Sequence, residues 1–502
     1  MEEGQPLQFD AIPVPTPPGG PLAVELVPAP DPWEVARKLS VQCPYGFVFL
    51  DSAERHGERG RYSYIAYDPG ALNKERYGIG PSSYSNGLSE QLTWDREELS
   101  ACTSPPCPGL PPFTGGLIFV GGYGLCRQFE RIPATHADEF QTPDFVSGFY
   151  RCVISFDHVL NRAWVIGHGN DASDEPTEPG KRDEWAKGRI DNVLRWLRYP
   201  WWRLASPPPR LPSLTSSELC PQFPLQGFPG VTSNFDRAGY EAAVRRVVEY
   251  IHAGDAFQVN LSQRLLAPLR EHPLELYGRL RSLNPAPFSA YFDLGDFQIL
   301  SASPERFLRV HPDGGVETRP IKGTRPRGRT PEEDAALIRD LATSPKDRAE
   351  NVMIVDLLRN DIGKACEYGS VKVPRVCEVE TFRFVHHLVS EVRGKLRPGV
   401  GPLDLLAGAF PGGSVTGAPK VRAMEIIAEL EPTARGPYCG CLGWIGFDGA
   451  MDTNILIRTF TAGRGWVQFP VGGGIVADSD PAREYEETLH KAAGLLRSLN
   501  LG

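Results

Sequence analysis

Short runs of aromatic and β-branched residues recur in both halves of the chain and constrain its fold more than any other feature. Bounded by Gly, Pro, Asn or Asp, such runs are typical of β-strands. The predicted strands are Gly46–Leu50, Tyr62–Tyr67, Gly116–Val120, Cys152–Phe156, Ala163–Ile166, Phe257–Leu261, Phe288–Leu294, Gln298–Ser301 and Val467–Val471, with one possible short strand at Leu22–Val27. A hairpin is also predicted from Cys441–Phe447 to Ile455–Phe460, with its turn near Asp448-Gly449.

Amphipathic helices are interspersed with these strands. Apolar residues recur at helical spacing within Asp236–Ala253, and one further helix is predicted around Glu184–Leu197. A capping residue followed by proline, which starts a helix, occurs at Ser344-Pro345 and again at Asp480-Pro481. Strands and helices in both halves predict a mixed α/β or α+β protein rather than a helical bundle or a sandwich.

Changes in composition divide the chain into four segments. Residues 1–20 are rich in proline and poor in large apolar side chains, so they are predicted to form a loose tail. Residues 21–204 are rich in predicted strands, and residues 234–502 hold the motifs with chemical content. Between them, residues 205–233 are rich in Pro, Ser and Leu, and they form either a domain linker or a long surface excursion.

The composition also argues against several classes of protein. A formal net charge of −9 without a basic stripe argues against a nucleic-acid partner. No run of 18 apolar residues is present to span a membrane, and the N-terminus lacks the basic and apolar segments of a secretory signal. The ten cysteines include no CxxC pair, which disfavours a zinc site and fits reduced thiols. We therefore expect a cytoplasmic protein with neither a membrane nor a nucleic-acid partner.

Two pairs of carboxylates at helical spacing give the first indication of a site. Asp347 and Glu350 are three residues apart on one predicted helix, and Glu484 and Glu487 are three apart on another, with Lys491 one turn further on. Residues at this spacing share a helix face. Two such faces could hold one hard cation such as Mg²⁺ through carboxylates and water. Spacing alone favours the plainer alternative of two solvated acidic surfaces.

Three further signals lie in the same half of the chain. Glycine-rich turns at 411–420 and 472–474 could present backbone N–H groups to an anion, or serve only as tight turns, and the first departs from the phosphate-loop pattern at Ala418. Lys322 would be nucleophilic if it were buried, although most lysines are solvated. Arg458, in a mostly apolar predicted strand, must face water or meet an anion. Together these signals describe a pocket for a small polyanion, with a metal on one side and an arginine and a lysine on the other.

Seven collinear segments resemble signatures of the chorismate-utilising enzymes. They are Ser303–Phe307, Pro320–Thr324, Ala349–Asp361, His387–Ser390, Phe410–Glu425, Ile457–Thr459 and Gly472–Lys491. Shorter likenesses at Phe49–Ser52 and Pro112–Gly116 relate the first half to the amino-terminal region of anthranilate synthase component I. The resemblance implies an α+β fold of two packed antiparallel β-sheets flanked by helices. It also implies that chorismate binds between the sheets, in the C-terminal half.

The resemblance further implies roles for individual residues. Glu350 and Glu487 would bind Mg²⁺ with support from Glu484 and Asp347, where Asp347 replaces the longer Glu of many relatives. The implied substrate-binding residues are Gln258, Gly323, Thr324, Ser414, Tyr438, Arg458, Gly472, Gly474 and Lys491. The implied catalytic residues are Lys322, Glu305 and His387, with His387 near the substrate ring. Glu305 would serve as a general acid or base, unless it only forms an ion pair with Arg306 or another arginine.

Two positions indicate the branch of the family. Members that add water to the ring carry a lysine base where this chain has Gln258, so this chain resembles a user of ammonia. Members that make anthranilate usually carry alanine where this chain has Lys322, and members that make 4-amino-4-deoxychorismate carry lysine. The resemblance thus implies that Lys322 is a nucleophile and that the product is 4-amino-4-deoxychorismate, the precursor of 4-aminobenzoate and, through it, of folate. The alternatives are the anthranilate branch and a catalytically silent binding paralogue.

The source of ammonia is the last expectation. None of the cysteines lies in a Gly-x-Cys-x-Gly elbow of the kind that poses a nucleophile. The chain is therefore expected to use ammonium salts but not glutamine. In the cell, a separate glutamine amidotransferase subunit would supply the ammonia, in a heterodimer.

Overall fold

Two antiparallel β-sheets, with helices on their outer faces, form the protein in a computed structural model that describes residues 6–43, 45–55, 59–70, 72–76, 90–169, 179–199, 210–382 and 385–500. The predicted α+β class and the pair of packed antiparallel sheets are confirmed. Strands and helices are numbered below in chain order.

The larger sheet, sheet A, has fourteen strands within the described residues. Its neighbouring strands are, in spatial order, β1 (Asp10–Val14), β2 (Leu22–Val27), β9 (Arg162–Gly167), β8 (Cys152–Asp157), β4 (Tyr62–Ala66), β3 (Val48–Asp51), β13 (Phe288–Asp293), β14 (Phe297–Ser303), β23 (Thr459–Gly463), β24 (Trp466–Ile475), β12 (Gln258–Pro268), β11 (Thr232–Ser233) and β10 (Phe223–Pro224). The short strand β20 (Gly417–Ala418) also pairs with β12.

The smaller sheet, sheet B, has ten strands among the residues that the structure describes. Their spatial order is β17 (Ile321–Pro326), β19 (Val385–Lys395), β16 (Gly315–Thr318), β15 (Arg306–Val310), β22 (Met451–Ile455), β21 (Cys441–Gly446), β6 (Gly116–Gly121), β7 (Phe145–Tyr150) and β5 (Asn73–Glu75), and β18 (Lys372–Thr381) pairs with β19.

The helices pack on the outer faces of the sheets and their N-termini follow the sequence signals. They are α1 (Pro32–Gln42), α2 (Glu90–Ala101), α3 (Pro179–Arg198), α4 (Arg237–His252), α5 (Pro273–Leu283), α6 (Pro331–Thr343), α7 (Pro345–Gly363), α8 (Pro402–Ala409), α9 (Lys420–Leu430) and α10 (Pro481–Ser498). The predicted capping is confirmed: Ser344 accepts a hydrogen bond from the N–H of Asp347, and Asp480 from that of Arg483. Among the described residues, no helix is both long and apolar enough to cross a membrane.

Both sheets draw strands from both halves of the sequence. In sheet A, β3 pairs with β13, and in sheet B, β6 pairs with β21. Residues 21–204 and 234–502 therefore build the same two sheets. The described part of 205–233 adds β10 and β11 to an edge of sheet A.

The N-terminal stretch differs from the expectation of a loose tail. Residues 10–14 form β1, which pairs along its whole length with β2, from Asp10 opposite Val27 to Val14 opposite Ala23. The free edge of β2 supplies the hydrogen-bonding partners for this segment. A proline on an edge strand can turn its missing N–H away from the ladder, so Pro13 does not prevent the pairing.

An apolar core fills the space between the sheets at one end of the molecule. It contains Val48 and Phe292 from sheet A, Ile118 and Leu442 from sheet B, and the ring of Phe113, all buried. Phe113 also packs against Trp444, with 4.9 Å between ring centroids. This aromatic packing holds the two sheets together.

The chain steps from one sheet to the other at two adjacent places, which together we call the seam. Residues 304–305 connect β14 in sheet A to β15 in sheet B, and residues 456–458 connect β22 in sheet B to β23 in sheet A. The two crossovers are hydrogen-bonded to each other. The N–H of Ile455 donates to the carbonyl of Glu305, and that of Ala302 to the carbonyl of Arg458, both at 3.1 Å.

The seam corrects one predicted strand. The hairpin with its turn near Asp448-Gly449 is present as β21 and β22, but its second strand ends at Ile455. The predicted strand Ile455–Phe460 is wrong because the backbone at Arg458 has φ = +51°, outside the extended region, and the chain changes sheets there. Arg458 therefore lies at a break between strands.

Candidate functional site

A cavity of about 680 Å³ lies beside the seam. This volume is in the range typical of pockets for small molecules. Every residue predicted for the site lines the cavity, with the exception of Gln258. The predicted site residues are thus brought together from both sheets, from α7 and α10, and from the seam.

Glu305 comes from the first crossover of the seam and is only 6% exposed. Burial raises the pKa of its carboxyl to about 7, although a hydrogen bond from Ser414 and the positive charges of Lys322 and Arg458 act in the opposite direction. The predicted alternative, an ion pair with Arg306, is not formed. Arg306 instead bonds Asp452 at 2.9 Å and Glu317 at 3.0 Å. Glu305 therefore remains available to exchange a proton near neutral pH.

Lys322 is aimed into the cavity by a β-bulge. The register between β17 and β19 shifts between Ile321 and Thr324, so Lys322 and Gly323 together lie opposite the single residue Leu388. Gly323 has φ = +79°, and a Cβ there would lie 2.9 Å from the carboxyl carbon of Asp347 on α7. Glycine is required at this position both by the backbone conformation and by the close approach of α7.

The amine of Lys322 has weak direct support from the protein. Its Nζ donates one long hydrogen bond, of 3.4 Å, to the carbonyl of Ser414. Burial lowers the pKa of Lys322, and the charges of Glu350, Glu305 and Glu487 only partly oppose this effect. A neutral, nucleophilic amine is consequently more accessible here than at a solvated lysine.

Arg458 comes from the second crossover of the seam and lines the same wall as Glu305. Its side chain is accessible from the cavity but is otherwise surrounded by protein, and this burial lowers its pKa in spite of the charges of Glu305 and Glu54. An arginine stays protonated even so. Its fork of donors therefore presents a fixed positive charge to an anion in the cavity.

The two predicted acidic pairs form a second wall. Helix α7, which packs on sheet B, contributes Asp347 and Glu350, and helix α10, which packs on sheet A, contributes Glu484 and Glu487. The alternative of two separate solvated surfaces is therefore wrong, because both faces are turned toward the same cavity. We call these four carboxylates the acidic wall.

Each carboxylate of the acidic wall has a partner within the protein. Asp347 pairs with Arg325 at 3.0 Å, and Glu487 pairs with Lys491 at 2.7 Å. Glu350 lies 4.0 Å from the amine of Lys346, and Glu484 accepts a 2.6 Å hydrogen bond from the hydroxyl of Ser479.

The charges of the acidic wall oppose one another. Burial raises the pKa of Glu350, and the neighbouring Asp347 and Glu487 add to that rise. Burial and Glu487 likewise raise the pKa of Glu484. Burial would also raise the pKa of Glu487, but Lys491 outweighs it and the pKa is lowered. Added positive charge would relieve this mutual repulsion.

The acidic wall has the donor chemistry of a site for a hard cation. Among the described residues, no three His, Cys, Asp or Glu side chains lie close enough to hold a metal as they stand. Carboxylate oxygens from two helices are nonetheless the ligands that Mg²⁺ prefers. A Cβ at Gly473 would lie 3.2 Å from Glu484 Oε2 and 3.7 Å from Glu487 Oε1, so glycine keeps this space open. A cation would have to replace the present lysine and arginine partners.

The remaining wall combines neutral polar groups with backbone. His387 on β19 shares a 2.9 Å hydrogen bond between its Nδ1 and the hydroxyl of Thr324. Burial, reinforced by Arg458, lowers the pKa of His387 to about 3, so its imidazole is neutral at physiological pH. The amine of Lys491 donates to the carbonyl of Gly472 at 2.9 Å, which ties α10 to β24.

Gln258, predicted as a substrate contact, does not line the cavity. It is fully buried on β12, beside β24, where a Cβ on Gly474 would lie 2.7 Å from its side-chain nitrogen. Neither polar atom of its amide has a hydrogen-bond partner in the described part of the protein. The side chain of Gln258 therefore packs against Gly474, which lines the cavity, without lining it itself.

Several lining residues were missed by the sequence analysis, namely Asn260, Arg325, Lys346 and His490. Asn260 is two residues beyond Gln258 on β12, and strand periodicity could have indicated that it shares a face with Gln258. Lys346 is four residues before Glu350 on α7, which is the spacing of a helical ion pair. Arg325 and His490 stand next to predicted residues, but no spacing rule singled them out.

Comparisons with known proteins found a matching family model and several similar chains. The model of a family described as chorismate binding enzyme matches residues 62–497. Anthranilate synthase component 1 of Thermus thermophilus is 41% identical over 475 residues, which are 92% of this chain and 94% of that protein. Aminodeoxychorismate synthase component 1 of Klebsiella aerogenes is 39% identical over 460 residues, which are 90% and 93% of the two chains. The crystal structure of anthranilate synthase component I from Streptococcus pneumoniae matches with a TM-score of 0.71 and 34% identity, over 87% of this chain and 92% of that one.

Proposed function

The chain belongs to the chorismate-binding enzymes, and on that premise we propose that it converts chorismate and ammonia to 4-amino-4-deoxychorismate, with Mg²⁺ bound at the acidic wall. It is a chorismate-utilising enzyme of the aminodeoxychorismate synthase and anthranilate synthase type. The names of its relatives divide between these two activities at 41% and 39% identity. The choice between the two activities therefore depends on the residues of the cavity.

Lys322 is the observation that carries the choice. The bulge points its amine into the cavity, and burial among protein atoms lowers its pKa. A lysine with these properties is suited to attack carbon. An enzyme that only adds ammonia at C2, as the anthranilate branch does, has no need of a second amine in the cavity.

The proposed sequence uses Lys322 and Glu305 in turn. The neutral amine of Lys322 attacks C2 of chorismate, the ring double bond shifts, and the C4 hydroxyl leaves as water with a proton from Glu305. Ammonia then adds at C4, the double bond shifts back, and the bond from C2 to the lysine breaks. The released lysine and Glu305 return to their starting protonation states through the proton that ammonia gives up. In sum, chorismate and ammonia become 4-amino-4-deoxychorismate and water.

The other lining residues would hold the substrate during these steps. Arg458 and Tyr438 would bind one carboxylate of the dianion, and Lys491 with the backbone of Gly472 and Gly474 would bind the other. Bound to Glu350 and Glu487, with Glu484 and Asp347 behind them, Mg²⁺ would supply fixed positive charge and polarise the substrate. The neutral His387 would lie against the ring without adding charge to it.

Ammonia would come from a separate glutamine amidotransferase subunit. The word component in the names of the relatives supports an enzyme of more than one chain. We expect the purified chain to aminate chorismate with ammonium salts and to remain inactive with glutamine, as measured by chorismate consumption. Turnover with glutamine by this chain alone would contradict the proposal.

The mass of the product decides between the two activities. With chorismate, Mg²⁺ and ammonium chloride, the proposal predicts a product that retains the enolpyruvyl group and has NH₂ in place of OH. Anthranilate, which has lost pyruvate, would support the alternative. Lys322→Ala should make little of the 4-amino product and at most slowly form a 2-amino product.

A conservative variant and a trapping experiment test the covalent step. When ammonia is withheld, mass spectrometry should find a chorismate-derived adduct on the peptide that contains Lys322. If the lysine only neutralises a substrate carboxylate, Lys322→Arg should stay active with an unchanged product. An active arginine variant that makes the 4-amino product would overturn the covalent mechanism and leave Lys322 as a binding residue.

A further inference from the structure

A buried arginine, Arg435, lies directly behind the cavity wall. It follows α9 in the sequence, and only 5% of its surface is exposed. Its guanidinium pairs with Glu431, from Nε to Oε2 at 2.9 Å and from Nη2 to Oε1 at 2.7 Å. Glu431 in turn accepts hydrogen bonds from the N–H and the hydroxyl of Ser262, both at 2.8 Å. A buried ion pair is tolerated only when it is hydrogen-bonded in this way.

Arg435 also bonds two backbone carbonyls that belong to the cavity wall. Its Nη2 donates to the carbonyl of Asn260 at 2.6 Å, and its Nη1 donates to the carbonyl of Val415 at 3.1 Å. Asn260 and Val415 both line the cavity, and the side-chain amide of Asn260 donates to Val415 as well, at 3.0 Å. One guanidinium therefore fixes β12 against the turn that carries Ser414.

A third segment of the wall is tied to the same guanidinium through aromatic contacts. The guanidinium carbon lies 5.8 Å from the ring centroid of Tyr438 and 4.6 Å from that of Tyr123. Both distances are within the range of a cation–π contact. The backbone N–H of Tyr123 also donates to the carbonyl of Gly436, at 2.8 Å, which anchors the loop that leads to Tyr438.

We propose that Arg435 is a positioning residue for chorismate conversion, whose planar fork sets Asn260, Ser414 and Tyr438 at their places around the substrate. Arg435 is not among the described residues that line the cavity, so it acts through those three neighbours. The inference rests on the proposed function only in taking chorismate as the ligand. A lysine would keep the charge but could not bond Glu431 and two carbonyls in one plane.

The test removes both charges together, because a single neutral partner would leave the other charge buried and unpaired. In the double variant Glu431→Gln, Arg435→Met, the amide oxygen still accepts from Ser262, while the bonds to the cavity wall are lost. Arg435→Lys is the second variant, and it keeps the ion pair without the fork.

A second buried Arg–Glu pair provides the matched control. Arg264 and Glu139 are paired at 2.5 Å, with 4% and 9% of their side chains exposed, and neither lines the cavity. The control variant is Glu139→Gln, Arg264→Met. It makes the same two substitutions in a similarly buried Arg–Glu pair, whose arginine lies further along β12. It therefore measures the loss of activity that comes from weakening a buried ion pair alone.

All variants are compared by thermal melting, by kcat and KM for chorismate consumption, and by calorimetric binding of chorismate. Misplaced positioning groups cost about 10²-fold, so we expect the Arg435 double variant to lose roughly that much in kcat/KM. The ammonium of Arg435→Lys keeps part of the network, and we expect a loss of about tenfold from it. The control should stay within about threefold in kcat/KM, because neither of its residues lines the cavity and distant sites act nearly independently.

Two outcomes would overturn the inference. The first is wild-type kcat/KM and chorismate binding in both Arg435 variants. The second is an equal loss in the control, which would make the role of Arg435 structural. Chorismate consumption is a measure of either amination reaction. If the wild type makes anthranilate, this test therefore stays valid, and only the proposal of a 4-amino product is contradicted. If the wild type consumes no chorismate, the proposed function fails, and the binding measurements still decide the role of Arg435.

Discussion

The seam and the acidic wall line the same cavity, but they hold their charges in opposite ways. At the seam, Glu305 has no ion-pair partner within the described residues. Lys322, which lies outside the seam on the bulge of β17, has one hydrogen bond of 3.4 Å. At the acidic wall, Glu487 is paired with Lys491 at 2.7 Å and Asp347 with Arg325 at 3.0 Å. Burial raises the pKa of Glu305 at the seam to about 7. At the acidic wall, the pKa of Glu487 is lowered, because its pairing with Lys491 outweighs the effect of burial.

The difference follows from how each part of the cavity is built. The seam is formed where the backbone leaves one sheet for the other, and the side chain of Glu305 there is only 6% exposed. The acidic wall is formed by the N-terminal parts of two helices, which favour negative charge, and there Asp347 and Glu487 have cationic partners. At the seam, burial therefore sets the pKa of the carboxyl that exchanges a proton. At the acidic wall, the paired carboxylates lie together where a cation could replace their present partners.

The largest expected effect comes from replacing Glu305, the proposed proton donor at the seam. Glu305→Gln keeps the shape and hydrogen-bonding capacity of the side chain but cannot give up a proton. A general acid contributes about 10²- to 10⁴-fold, so we expect kcat with chorismate and ammonium to fall by roughly 10³-fold while chorismate binding changes little. Wild-type kcat in this variant would remove Glu305 from the chemistry and make the seam a binding surface only.

At the acidic wall, we expect Glu350→Ala and Glu487→Ala each to lower activity by about 10²-fold at limiting Mg²⁺, as loss of a coordinating or supporting group does. The measurement is initial rate against Mg²⁺ concentration. Matched controls are Asp356→Ala on α7 and Glu486→Ala on α10, whose carboxylates pair with Arg359 and Arg237 at the surface. Either site variant with wild-type turnover at limiting Mg²⁺ would remove that residue from the ligand set.

The pH dependence of kcat/KM gives a further test of Glu305 at the seam. The pKa of Glu305 is raised to about 7, and its protonated form is the one proposed to act. The ratio of kcat/KM in the wild type to that in Glu305→Gln should therefore fall as pH rises through about 7, by about tenfold per pH unit. Taking the ratio cancels the ionisation of ammonia, which is the same for both proteins. A ratio that is constant from pH 6 to 9 would show that Glu305 does not titrate in catalysis.

The same carboxyl should also be visible in stability. Its pKa is raised on folding from 4.5 to about 7, so the folded state binds the proton more tightly than the unfolded state. Between these two pH values the free energy of unfolding of the wild type should fall relative to Glu305→Gln as pH rises, and the difference should stay constant above about 7. Denaturant unfolding of both proteins across this range measures it.

The smallest expected effect concerns the space at Gly473. A Cβ there would lie 3.2 Å from Glu484 Oε2 and 3.7 Å from the amine of Lys491, both on flexible side chains that can move by a few tenths of an ångström. We expect Gly473→Ala to cost about 1 kcal/mol of cation or substrate binding, at the low end of the cost of overpacking. Titration with Mg²⁺ and chorismate tests this, and unchanged affinity for both would place the bound groups elsewhere on the acidic wall.

Local patterns predicted much of the secondary structure because they act over a few residues. The cap-and-proline starts of α7 and α10 are present, and Asp347, Glu350, Glu484 and Glu487 lie on those helices at the expected spacing. The strand periods identified β13 and β14, and the chain passes from the end of β14 to Glu305. Each of these features depends on neighbouring residues, which the sequence displays directly.

Longer-range features escaped the sequence analysis for a physical reason. Ile455–Phe460 reads as one apolar strand, since nothing in the residue types marks where a chain changes sheets. Residues 10–14 read as a loose tail because the partner that pairs with them, β2, is not visible in their own composition. Gln258 was assigned to the substrate, but its side chain packs against Gly474 and does not line the cavity.

By itself the sequence determined the elements of this protein and the chemical groups available to it, because helix caps, strand periods and side-chain types are local properties. It also carried the motifs by which the chorismate-binding family is recognised, and the family model confirms them over residues 62–497. Only the tertiary structure decided that both acidic pairs face one cavity and that Glu305 and Arg458 share a seam. It also decided which charges lose water there. Desolvation depends on every atom packed around a group, and those atoms come from segments up to hundreds of residues apart.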